Sequence, residues 1–157
     1  MKDEQKSIRI QLLNMLEKDQ AHISFEDAVK GIDYKTAGKS ETIFPYNIWQ
    51  LSSHIQFTQK DILEFCTNTK YQEPKWPDDY WPADTEPTIQ QWQECLRNFK
   101  EDRNSFVNLI KDSSSNLLAP IPNGTGQNLL REAILICDHT AYHTGQIVLL
   151  RKLLRIW

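Results

Sequence analysis

Residues 127–155 read QNLLREAILICDHTAYHTGQIVLLRKLLR, and this stretch decides the fold. Pro120, Pro122, Gly124 and Gly126 mark the loop before it, after which it reads as one long helix. At about 100° per residue, Glu132, Ile136, His139, His143, Gln146, Leu150 and Leu153 or Leu154 follow the three-and-four spacing of a bundle seam. Both histidines and the glutamine stand where leucine is expected, with Asp138 and Thr140 beside them. The core stripe is therefore polar for about two turns between apolar ends, and groups buried there need partners.

Working outward, three more long helices are expected. Residues 87–112 carry Trp92, Leu96, Phe99, Arg103, Phe106 and Ile110 at steps of four and three, a seam that only Arg103 breaks. A helix should begin near Pro45 to Asn47 and run to about Asn68, since Asn47 can cap it and Gln50 can reach back to it, and Ile48, Leu51, Ile55, Ile62, Phe65 and Cys66 form its stripe. Residues 3–18 place Ile8, Leu12, Met15 and Leu16 on one face. Ser24-Phe25-Glu26-Asp27 resembles a capping box and Gly31 a stop, which predicts a short helical piece. Residues 33–44 read as irregular. Residues 69–85, with Pro74, Pro77 and Pro82, form a long ordered loop or lid. The expected architecture is all-α, a four-helix bundle with long connections, in one domain over residues 1–157.

The 157 residues are one ordinary domain's worth of chain. A net charge of −3 gives no electrostatic footprint for nucleic acid. The longest apolar run, Ala133 to Cys137, is far shorter than the roughly 20 residues of a membrane span. The charged amino terminus feeds straight into a helical pattern, which predicts a cytoplasmic protein. Cys66, Cys95 and Cys137 form no Cys-x-x-Cys unit and are expected to be reduced.

A His-x-x-x-His pair sets two imidazoles on one helix face about a turn apart, a spacing that serves one metal ion and that core or surface histidines also show. His54, one turn after Leu51, faces the bundle interior from the neighbouring helix and would complete a three-histidine site. His22 falls in the connection after the first helix and is not a proposed ligand. Gln146, a turn beyond His143, either hydrogen-bonds a group at the site or fills the seam. Asp61, Glu132 and Asp138 are possible acceptors for the outer N–H of a ligand histidine, or else solvated carboxylates. Arg103 either binds an anionic cosubstrate or snorkels to the surface. Trp76 and Trp81 form an aromatic wall, a dimer contact or a pin for their own loop; Tyr142 points away from His143 and reads as packing.

Two segments, Ile48-Trp49-Gln50-Leu51-Ser52-Ser53-His54-Ile55 and Asp138-His139-Thr140-Ala141-Tyr142-His143-Thr144-Gly145-Gln146-Ile147, resemble the DinB family, with its YfiT-like relatives, of bacterial metal-binding four-helix bundles. The resemblance in length and helix order covers essentially the whole chain. It implies a divalent metal on His54, His139 and His143, zinc or nickel first and iron or manganese next, and a homodimer acting on a small-molecule substrate. Some relatives look like S-transferases that use a low-molecular-weight thiol such as bacillithiol, so a thiol cosubstrate is expected; the alternatives are a metal-dependent hydrolase and a non-catalytic, stress-related metal-binding bundle. A metal on three neutral ligands would lower the pKa of a thiol or water at its open position, which serves either reaction. Family membership does not fix which.

Overall fold

The structure, a computed structural model, describes residues 2–18 and 21–157, and of residues 2–4 only the backbone. Met1, which opens the charged amino-terminal stretch, lies outside the described residues. The elements are helical: α1 (Lys2–Glu17), α2 (Phe25–Val29), α3 (Tyr34–Ala37), α4 (Ile48–Thr67), α5 (Ile89–Lys111) and α6 (Leu129–Leu153), with a 3-10 turn at Asp78–Tyr80. Among the described residues the only strand-like pairing is an isolated bridge between Pro120 and Asn128. Among the described residues no helix is long and apolar enough to cross a membrane.

Side chains set where the helices begin, because each start leaves backbone N–H groups without helical partners. Asn47 accepts from the Gln50 N–H while the Gln50 amide accepts from the Asn47 N–H, the reciprocal box expected for α4. Thr88 and Gln91 repeat it at α5, and Asn128 caps α6 through the Arg131 N–H. Ser24 caps α2, and Gly31 follows it with φ +77°, a backbone state that side chains disfavour. The stretch 33–44 is less irregular than expected. Asp33 accepts from the Thr36 N–H at 2.7 Å, enough to nucleate the single turn of α3.

The four long helices close a ring, with α4 and α1 each packing on both α5 and α6. Two apolar clusters fill it. One gathers Phe25, Leu51, Ile55, Trp92, Phe99 and Ile147; the other gathers Leu12, Ile62, Phe106, Ile110, Leu117 and Ile136. Full burial of a side chain such as Phe99 or Phe106 stabilises by about 1.5–3 kcal/mol. Between the clusters each of three helices changes character: Gln59 follows Ile55 on α4, Arg103 follows Phe99 on α5, and Thr140 and His143 separate Ile136 from Ile147 on α6. A polar layer thus crosses the middle of the interior, between the two apolar clusters.

Candidate metal centre

His54 on α4 and His143 on α6 are buried, at 3% and 8% exposure, and His139 is half-buried one turn before His143. One ligand atom from each of the three lies within 4.8 Å of the others. Nε2 of His139 is 3.0 Å from Nε2 of His54. Two of the three outer nitrogens are already engaged. Nδ1 of His54 donates to the Tyr80 carbonyl at 3.0 Å, and Nδ1 of His143 donates to Oε1 of Gln146 at 2.7 Å. These bonds fix the tautomer in which both Nε2 atoms present lone pairs.

The donor set fits a divalent ion. Two nitrogens bound to one tetrahedral zinc at about 2.0–2.1 Å stand about 3.3 Å apart, close to the separation of His54 and His139. The imidazoles are also held neutral, as ligands must be. Burial, reinforced by charge on His143 and His54, pulls His139 down to about 3. Burial lowers His54 against the raising effect of the Tyr80 hydrogen bond, with charge on His143 lowering it further. Burial lowers His143 as well, opposed by the bond to Gln146.

The 69–85 loop holds one wall of the site. The Trp81 ring stacks on His54 with centroids 4.0 Å apart and planes within 3°, and Tyr46 stacks on the other face of Trp81 at 4.2 Å. Asp61 accepts from the hydroxyls of both Tyr71 and Tyr80, at 2.9 and 2.8 Å, so α4 grips the loop whose Tyr80 carbonyl orients His54. Trp76 is 66% exposed and 6.5 Å from His54, so the two tryptophans part company: one seals the triad and the other stands in solvent beside it. Tyr142 is exposed with its ring edge-on to His143 at 4.8 Å, a flanking ring rather than core packing.

The carboxylates named as outer acceptors do other things. Glu132 is buried but engaged by Arg131 Nη1 at 2.8 Å, Asp138 is exposed, and Asp61 acts on His54 only through Tyr80. The acceptors are instead a loop carbonyl and the Gln146 amide. A backbone carbonyl from a distant loop leaves no side-chain signal; the aromatic density around Trp76 and Trp81 was the one available pointer to that loop. Arg103 neither snorkels nor serves the triad: Nε donates to Oε1 of Gln59 at 2.8 Å and Nη1 to the Leu16 carbonyl. His22 is exposed. The three cysteines are free. Compared with family models, curated proteins and solved structures, the chain gives no significant match in any of the three.

Proposed function

We propose that the chain is a metal-dependent protein of the DinB type, a four-helix bundle in which His54, His139 and His143 hold one divalent ion, zinc or nickel ahead of iron or manganese. The observation that carries this is the convergence of three neutral imidazoles from two helices, two with their outer nitrogens already tied. The proposed activity is transfer of a low-molecular-weight thiol to a small electrophile in a reducing, cytoplasmic setting; the resemblance of the two helix segments places it ahead of hydrolysis. When bound, the ion supplies Lewis acidity that favours the deprotonated form of a thiol or water. The chain's own residues position and exclude. The Tyr80 carbonyl and Gln146 hold the histidine tautomers, Trp81 closes the His54 side to water, and exposed Trp76 and Tyr142 offer flat apolar surfaces to a substrate body. Exposed Tyr142 and Leu149 flank Gly145, where a Cβ would meet nothing within 4 Å, and this open α6 surface supports a homodimer.

The test is metal content after separate reconstitution with zinc, nickel, iron and manganese, on the unaltered chain and on His54→Ala, His139→Ala and His143→Ala. About one ion per chain, lost in all three variants, is expected, followed by metal-dependent consumption of an added thiol with an electrophile. No ion under any condition overturns the proposal; an ion with ester turnover but no thiol requirement replaces transfer by hydrolysis. Light scattering of the same preparations reads the dimer.

A further inference from the structure

A cavity of about 560 Å³ opens on the other side of α6, bounded by the end of α1, the start of α2 and Arg103 of α5. Its α6 wall includes Cys137, Ala141 and Thr144, roughly 100° to 160° round the helix from His139 and His143, and no triad histidine lines it. The size lies within the range of roughly 300–1,000 Å³ usual for small-molecule sites.

Two polar groups in it are incompletely used. The Arg103 guanidinium spends Nε on Gln59 and Nη1 on the Leu16 carbonyl, with its face over the Phe99 ring at 4.8 Å; among the described residues no carboxylate pairs with it, and Nη2 has no protein partner. Thr144 is 2% exposed, and its Oγ1 has no hydrogen-bond partner. Buried polar groups are normally satisfied, and Thr144 Oγ1 is not; with half-buried Arg103 lining the same cavity and keeping Nη2 unspent, the pair points to an acceptor supplied from outside the chain. Burial also lowers the Arg103 pKa, against the raising effect of the Glu26 charge.

We propose that this cavity is a second ligand site, taking a small monocarboxylate with an apolar body: the carboxylate meets Arg103 and Thr144, and the body lies against Leu16 and Phe25. The charge of the ligand follows from the rim. Glu17, Glu26 and Asp138 also line the cavity; Glu17 is paired with Lys111 at 2.7 Å, while Glu26 and Asp138 are exposed. Arg103 and Lys18 set against these three carboxylates leave the lining net negative, which suits a ligand with a single negative charge and disfavours a dianion such as a phosphate monoester. The walls that include Met15, Leu16, Phe25 and Ile134 favour an alkyl or aryl body over a sugar.

Octanoate is the probe, and Met15, one of only two methionines, is the reporter. In metal-free protein carrying 13C-methyl methionine, octanoate is expected to shift the Met15 methyl resonance saturably, about tenfold tighter than octan-1-ol, which has the chain but not the charge. Arg103→Met is expected to abolish the shift. Because that variant also strips Gln59 of a partner, Thr144→Val provides the second arm: it fills the same space, and loss of its hydroxyl is expected to weaken octanoate about fivefold. His139→Ala is expected to bind octanoate as the unaltered chain does. The proposal is overturned by the absence of a saturable shift, by octan-1-ol binding as tightly as octanoate, or by a folded Thr144→Val with undiminished affinity.

Discussion

Gln59 and His54 sit on the same helix, at 2% and 3% exposure, and both belong to polar constellations enclosed by apolar packing. Gln59 closes its valences within the protein: Nε2 donates to the Phe99 carbonyl at 2.7 Å and Oε1 accepts from Arg103. His54 closes only one. Its Nδ1 is tied to Tyr80, while Nε2 faces a second Nε2 at 3.0 Å with a third imidazole alongside. A satisfied network stabilises one packing arrangement, whereas nitrogens converging on a common point form a set that could hold a metal ion.

The comparison breaks most readily at the triad. His139→Ala is expected to lower zinc affinity beyond the roughly 10–100-fold loss typical of outer hydrogen-bond partners, read by chelator competition, while changing the urea stability of the metal-free protein by about 1 kcal/mol or less. Gln59→Leu should behave in the opposite way. It leaves the Arg103 Nε and the Phe99 carbonyl without their partner, so a loss of about 2–4 kcal/mol is expected in the same urea titration, with zinc stoichiometry unchanged. If the two variants exchange these signatures, the assignment of one network to structure and the other to ligand binding is wrong. Smaller still is Gln146→Leu, which frees the His143 ring to rotate and change tautomer. About tenfold weaker zinc binding with an unaltered urea midpoint is expected.

These two networks were unequally legible in the sequence. His139 and His143 declared themselves by occupying seam positions of a long helix, and His54 by its place beside Leu51 and Ile55, because a bundle seam has a period and a polar residue on it stands out. Arg103 stood out for the same reason, yet its direction did not: whether a long side chain turns in or out depends on what faces it, here Gln59 from another helix. The ends of α4 were readable because Asn47 and Gln50 are a local signal. The turn of α3 is not legible, since four residues carry no apolar periodicity. Tyr80 was out of reach in principle, because its contribution to His54 is a backbone carbonyl delivered by the path of a loop.

The finest probe of the comparison is the charge of Arg103 itself, and two cysteines read it. Burial alone pushes the Cys95 thiol up to about 12, whereas at Cys137 burial raises the pKa but the Arg103 charge pulls it back. Thiolate is the reactive form, so in the folded protein at about pH 8 iodoacetamide should label Cys137 before Cys95, as resolved by peptide mass spectrometry. Exposure also favours Cys137, and Arg103→Met separates the two causes: Cys137 should slow while Cys95 keeps its rate. The sign carries over to stability. A thiol raised from 9.0 to about 12 on folding keeps a proton that the unfolded chain releases, so its contribution is complete below pH 9 and is lost as pH rises toward 12. Cys95→Ala should therefore flatten the alkaline fall in urea stability between about pH 9 and about pH 11. If Cys137 labelling is indifferent to Arg103→Met, the guanidinium does not act on this wall of α6, and the closed, charge-bearing half of the comparison loses its support.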